Sequence, residues 1–252
     1  MPNVLLLGGT TEASALARLL AERGVTATLS YAGRTEAPRA QPIPVRVGGF
    51  GGADGLAAFL RAEGVTHLVD ATHPFAATMS VNAVAAAKKV GIPLLALSRS
   101  AWEPGSGDRW TRVADIAGAV AALAGTPRRI LLALGRMHVE AFAAMPQHHY
   151  VLRFVDAPVV PPILPEHTLI VDRGPFTVEG DRALMEAHRI DLVVCKNAGG
   201  SGAEAKLVAA RVLGIPVVMV DRPALPPRTE VTDPEAVLAW LDHAPAPIDR
   251  GV

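Results

Sequence analysis

Residues 4–7, Val-Leu-Leu-Leu, run directly into Gly8-Gly9-Thr10-Thr11-Glu12-Ala13-Ser14, and no other stretch restricts the fold of this 252-residue chain as tightly. A short apolar run of this kind suits a strand buried on both faces, and Leu16, Leu19 and Leu20 then fall on one face of a helix. The two glycines between them let the backbone approach a ligand closely. The free N–H groups of the first helical turn favour an anion. Together they make a phosphate cradle. The match to the dinucleotide fingerprint G-x-G-x-x-G/A is partial: Thr10 stands where the second glycine would be, and Ala13 supplies the closing small residue. The hydroxyls of Thr10 and Thr11 are expected to add donors to a phosphate, because a turn without a ligand gains nothing from them.

Beyond this turn the pattern alternates. Strands are expected at 25–30, 45–47, 65–70 and 94–97, with helices at 54–63 and from the residues after Phe75 to about Val90. Gly64 and Gly91 end these helices. After Gly125-Thr126-Pro127 the rhythm restarts, with strands at 130–134, 151–155, 169–171, 191–195 and 217–220 and a closing helix at 234–242. Strands alternating with crossover helices imply parallel sheets. The restart also has a sequence echo. With Gly91-Ile92-Pro93 laid on Gly214-Ile215-Pro216, His73 falls on Lys196 and Arg99 on Arg222. The expected architecture is α/β, with two successive Rossmann-like parallel-sheet domains, 1–125 and 126–252, and a cleft between them. Ligands are expected beyond the carboxyl ends of the strands.

The cofactor follows from the end of the second strand. Enzymes that use NAD carry an acidic residue there, whereas this chain has Ser30-Tyr31-Ala32-Gly33-Arg34 and no carboxylate before Glu36. A hydroxyl and a guanidinium suit a 2′-phosphate, so NADPH is expected, with Arg34 as its reader. Asp70-Ala71-Thr72-His73-Pro74-Phe75 ends another strand. There His73 is either a proton donor or phosphate ligand, or part of a cluster that caps the next helix. Asp172-Arg173-Gly174-Pro175-Phe176 has the same character, and Lys196-Asn197-Ala198-Gly199-Gly200 sets a lysine among small residues before a helix, an anion-site pattern.

Composition narrows the alternatives. Lysine plus arginine equals aspartate plus glutamate at 24 each, which argues against a nucleic-acid surface. No apolar stretch reaches the roughly 20 residues that cross a bilayer, and no basic region with a cleavage site precedes the first strand, so a cytoplasmic location is expected. The single cysteine, Cys195, forms no internal disulfide and is expected to pack inertly at the end of a strand. The histidines include no H-E-x-x-H pair, so no metal is expected. There is no G-x-S-x-G elbow, and neither Tyr31 nor Tyr150 has a lysine four residues later. Oligomeric state has no signature.

These stretches, Gly8–Ala13, Ser30 with Ala32-Gly33-Arg34, Asp70–Ala76, Asp172–Phe176 and Lys196–Gly200, resemble the precorrin-6A reductase family of corrin biosynthesis, in the family's order along nearly the whole chain. Ala198 departs from a serine found in many relatives. The resemblance implies NADPH-dependent reduction of one double bond in a precorrin macrocycle, on the route to cobalamin. It implies cofactor contacts from Gly8, Gly9, Thr10, Thr11, Glu12, Ser30, Arg34, Thr72, His73 and Pro74. A precorrin carries many carboxylates, so Arg136, Arg173, Lys196, Asn197 and Arg222 are expected to hold substrate. His73 and Lys196 are candidates to deliver the proton. Alternative readings are a cobalt-precorrin-6A reductase using NADH, a reductase of another small metabolite, and a non-catalytic two-lobed binding protein.

Overall fold

The computed structural model describes residues 1–32 and 40–243. In chain order the elements are β1 (Asn3–Leu7), α1 (Thr11–Glu22), β2 (Thr26–Tyr31), β3 (Val45–Val47), α2 (Gly52–Ala62), β4 (His67–Asp70), α3 (Ala77–Val90) and β5 (Leu94–Leu97). They continue with β6 (Trp110–Val113), α4 (Ile116–Ala121), β7 (Arg129–Ala133), a 3-10 helix at Arg136–Ala144, β8 (His149–Phe154) and β9 (His167–Val171). Then come α5 (Val178–Ala187), β10 (Leu192–Lys196), a short 3-10 turn at Ser201–Ala203, α6 (Ala205–Leu213), β11 (Val217–Val220), β12 (Glu230–Val231) and α7 (Pro234–His243).

Two six-stranded parallel sheets result, with orders β3-β2-β1-β4-β5-β12 and β9-β8-β7-β10-β11-β6. Each reads 3-2-1-4-5-6 in Rossmann terms. The sixth strand of each sheet is exchanged. β6 follows β5 in the chain but joins β11, whereas β12 follows β11 and joins β5. The helices go with their strands: α7 packs on α1, and α4 packs on the 136–144 segment. The compact units are therefore Met1–Ser100 with the segment from Ala224 onward, and Ala101–Pro223. The boundary expected at 125/126 marks where the sequence pattern repeats. The chain passes between units at 100/101 and again at 223/224, because the edge strands are traded.

The first sheet is buried on both faces, which explains its unbroken apolar strands. Val4 and Leu6 face Leu16, Ala17 and Leu20 of α1 and Val237 of α7, while Leu5 and Leu7 face Leu56 and Leu60 of α2 and Ala83 of α3. In the second sheet Leu131, Val151, Val193, Cys195 and Met219 share a core with Met185 of α5 and Leu207 of α6. Burial pushes the Cys195 thiol up to about 11, as suits an inert core residue.

The two Gly-Ile-Pro triplets do the same work. Gly91 and Gly214 are left-handed caps with φ of 79° and 65°. The N–H groups of Ile92 and Ile215 return to Ala87 and Ala210. The strands before the helices are shifted, however. Asp70 pairs with Ala96 and Cys195 pairs with Met219, so in sheet register Cys195 is the counterpart of Asp70. The aligned His73–Lys196 equivalence therefore slips by two residues, which the loop before α6 absorbs. Trp110–Val113, the 3-10 form of 136–144, and the exchange itself had no legible pattern.

One buried ionic cluster ties the returning segment to the first sheet. Asp70, 2% exposed, accepts from Arg228 Nη1 at 2.5 Å and Ser80 Oγ at 2.6 Å through Oδ2, and from Thr72 Oγ1 at 2.6 Å and Thr72 N at 3.1 Å through Oδ1. Arg228 also holds Glu230 of β12 at 2.9 Å. Removing one partner strands a buried charge, at a cost of about 3–5 kcal/mol. Arg228→Met should lower the thermal midpoint by roughly 5–15 °C, and adding Asp70→Asn should cost much less than the sum of the two single changes. Melting curves of the three variants check this; additive losses would contradict the coupling.

Candidate functional site

Apart from Arg34, the expected cofactor residues gather at the carboxyl edge of β1, β2 and β4. Gly8 donates its N–H to Ser30 O at 2.9 Å, and Ala71 N–H reaches Leu7 O at 2.9 Å. A Cβ on Gly8 would lie 2.5 Å from Leu29 Cδ1 and 3.3 Å from Ala13 Cβ, so glycine is required there by close strand–helix packing. Gly9 differs. Its φ is 125° and nothing lies within 4 Å of where a Cβ would be, so its backbone faces open space. The N–H groups of Thr11 and Glu12 lie in the first turn of α1, where no intrahelical acceptor exists. A dinucleotide pyrophosphate fits this cradle.

The side chains are more occupied than the sequence suggested. Thr10 caps α1: its Oγ1 accepts from Ala13 N at 3.1 Å and donates to Ala71 O at 2.9 Å. Its hydroxyl proton is thus committed to the loop after β4, which explains a threonine in place of glycine. Thr11 Oγ1 donates to Glu12 Oε2, and Glu12 also pairs with Arg99 at 3.5 Å. Thr72 is bound to Asp70, and Pro74 is buried in the following turn. His73 Nδ1 accepts from Phe75 N at 3.2 Å, which puts the proton of the neutral ring on Nε2. The cap of α3 is Ala76, with no side-chain bond, so neither Thr72 nor His73 caps that helix.

Ser30 is 5% exposed, and its hydroxyl accepts from Arg46 Nη1 at 3.0 Å. Among the described residues, the guanidinium beside β2 is that of Arg46, the middle residue of a short strand. Arg34 lies outside the described residues. A charged residue between two valines and next to Gly48-Gly49-Phe50-Gly51-Gly52 was the available signal.

In the second unit the expected substrate residues all lie at or just after strand ends, but they are not alike. Arg136 is exposed and opens the 136–144 helix. Arg173 is exposed and paired with Asp156 at 2.6 Å. Lys196 is half-buried at the end of β10, beside Val220 of β11. Arg222 donates to Asn197 O at 3.0 Å and Ala198 O at 3.2 Å, bracing the loop after β10.

Asn197 was expected to hold substrate, yet it is 2% exposed and its amide closes on one backbone unit. Its Oδ1 accepts from Trp102 N at 2.8 Å and its Nδ2 donates to Trp102 O at 2.9 Å. Trp102 Nε1 in turn donates to Gly200 O at 2.8 Å. The ammonium of Lys206 lies 4.8 Å from the Trp102 ring and binds Ala203 O. Burial lowers the Lys206 pKa. Trp102 thus pins both ends of the 197–200 loop, a role invisible in its Pro- and Gly-rich neighbourhood. Asn197→Ala removes two buried bonds and should cost about 1–3 kcal/mol of stability. Denaturant melts check this, and an unchanged midpoint would return Asn197 to a purely ligand-facing role.

Comparisons with known proteins agree along the whole chain. The family model "Precorrin-6x reductase CbiJ/CobK" matches residues 3–242. Precorrin-6A reductase of Rhodobacter capsulatus is 56% identical over 253 residues, all of both chains. A cobalt-precorrin-6A reductase of Priestia megaterium is 32% identical over 236 residues, 88% of this chain and 91% of that one. The solved structure of a CobK precorrin-6A reductase superposes with a TM-score of 0.93 at 56% identity, covering all of both chains. On this evidence of sequence and fold, the chain belongs to the precorrin-6x reductase (CbiJ/CobK) family.

Proposed function

We propose that this protein reduces one carbon–carbon double bond of precorrin-6A, with NADPH as reductant, in cobalamin biosynthesis. The observation that carries the reading is the glycine turn between β1 and α1, at the first strand of a 3-2-1-4-5-6 sheet, in a chain of this family. Membership of a reductase family supports a nicotinamide dinucleotide, and the absence of a carboxylate among Ser30, Tyr31 and Ala32 supports the phosphorylated one.

When bound, NADPH would supply a hydride equivalent, and a proton would complete the change of the double bond into a CH–CH pair. The chain binds, orients and protonates. The open backbone of Gly9 and the N–H groups of Thr11 and Glu12 suit the pyrophosphate. Arg136, Arg173, Lys196 and Arg222, all at or just after the ends of strands of the second sheet, supply cations for acetate and propionate groups. His73 is the proposed proton donor: Phe75 N–H orients its ring with Nε2 outward from that bond. A proton taken from water at Nδ1, in place of that bond, makes the imidazolium that gives its Nε2 proton to the macrocycle and returns to the neutral ring. The relatives named for precorrin-6A share more of this sequence than the cobalt-precorrin relative, which favours the metal-free substrate.

His73→Asn keeps an acceptor for Phe75 N–H and removes the Nε2 proton. It should lower kcat by about 10²- to 10⁴-fold with little change in NADPH binding. Lys196→Ala should instead raise KM for the macrocycle while kcat falls little. Steady-state kinetics with both cofactors and direct NADPH titration measure these quantities. A His73→Asn enzyme with normal kcat, or a Lys196→Ala enzyme whose kcat collapses, reverses the two assignments.

A further inference from the structure

Arg46 is the middle residue of β3, and the strand register sets it beside Ser30 near the carboxyl end of β2. Its Nη1 donates to Ser30 Oγ at 3.0 Å and to Gly48 O at 2.9 Å, and its Nη2 donates to Gly49 O at 3.2 Å. The guanidinium lies 3.8 Å from the centre of the Phe50 ring and 5.0 Å from that of Phe59. The fork is therefore half-buried and fixed in place. Every acceptor it holds is neutral, and among the described residues it forms no ion pair. Its Nε–H and second Nη2–H have no acceptor among those residues. Ser30 O also receives Gly8 N–H at 2.9 Å, which joins this corner directly to the glycine turn.

The second unit builds the same corner and neutralises it. Arg153 is the penultimate residue of β8, as Ser30 is of β2, and its guanidinium lies 3.8 Å from the Phe176 ring centre. There the charge is met by Asp181, the fourth residue of α5, with the two side chains only 6% and 3% exposed. In the first unit the fourth residue of α2 is Gly55. A Cβ there would lie 1.6 Å from Phe50 O, so no carboxylate can arise at that position. One corner is closed by its own acid, and the other presents a fixed fork that no carboxylate among the described residues meets. A half-buried cation of this kind is completed by an anion with several oxygens.

In a Rossmann sheet the end of the second strand is where the adenosine ribose lies. We infer that Arg46, oriented by Ser30 and Phe50, binds the phosphate on the ribose 2′-oxygen and sets the preference for the phosphorylated dinucleotide. This rests on the reading of the glycine turn as the dinucleotide site. Arg46 is then the specificity-determining residue, and Ser30 acts through it as a positioning residue.

The test is direct binding by calorimetry, using NADPH, NADH, adenosine 2′,5′-bisphosphate and AMP, on the wild type, Arg46→Met and Arg46→Lys. The Met variant should lose about 10- to 100-fold in affinity for NADPH and the bisphosphate. NADH and AMP should change less than about twofold. Should Arg46→Met fail to fold by circular dichroism, Arg46→Lys decides. It keeps the charge but not the fork, and should still lose part of the discrimination between bisphosphate and AMP. Equal losses for all four ligands would mean that Arg46 only builds the corner, and would overturn the inference. A wild type that prefers NADPH, with an unchanged ratio in both variants, would place the phosphate on another residue while leaving the NADPH reading intact. A wild type that binds the four ligands without regard to the 2′-phosphate would overturn both.

Discussion

Asp70 accepts hydrogen bonds from Arg228, Ser80 and twice from Thr72, and much of the first unit depends on that one carboxylate. Through Thr72 it shapes the loop that carries His73. Through Ser80 it fixes α3, and through Arg228 it draws β12 and α7 onto the sheet. The same loop receives the Thr10 hydroxyl at Ala71 O, so the cap of α1 and the turn after β4 are one bonded assembly. An ion pair this deeply buried is a poor source of net stability but a strong constraint on geometry, since any other arrangement leaves a charge unpaired.

The second unit reaches a similar result by other means. Its loop after β10 is braced by Asn197, Arg222 and Trp102, with Lys206 against the indole. In both units the polar residues nearest the strand ends mostly shape backbone. That leaves backbone N–H groups and a few placed cations at the strand ends, groups that suit anionic ligands.

The apolar strands and their glycine stops were legible because burial on both faces leaves an unbroken run, as at Val4–Leu7 and Val217–Val220, and because Gly91 and Gly214 must adopt positive φ. The turn at Gly9 was legible for the same reason, since its φ of 125° also favours glycine. The exchange of β6 and β12 was not, since a two- or four-residue edge strand carries almost no pattern and its partner is chosen by tertiary contacts. Side-chain commitments were also hidden. Nothing local marks Thr10 as bonded to Ala71, Asn197 as closed on Trp102, or Arg46 as stacked on Phe50, because each partner is brought near only by the fold. Arg228, isolated in a proline-rich stretch, gave no sign of its carboxylate far along the chain.

The central claim is that the first unit presents a reduced nicotinamide dinucleotide to a precorrin ring, which gains one hydrogen from the cofactor and one as a proton. The most direct measurement is mass spectrometry of the product formed from NADPH carrying deuterium at the transferred position of C4, in ordinary water. The account predicts one deuterium in the reduced macrocycle, and a second when the reaction is run in heavy water. A reduced product without cofactor-derived deuterium, or no reduction of the macrocycle at all, would contradict it.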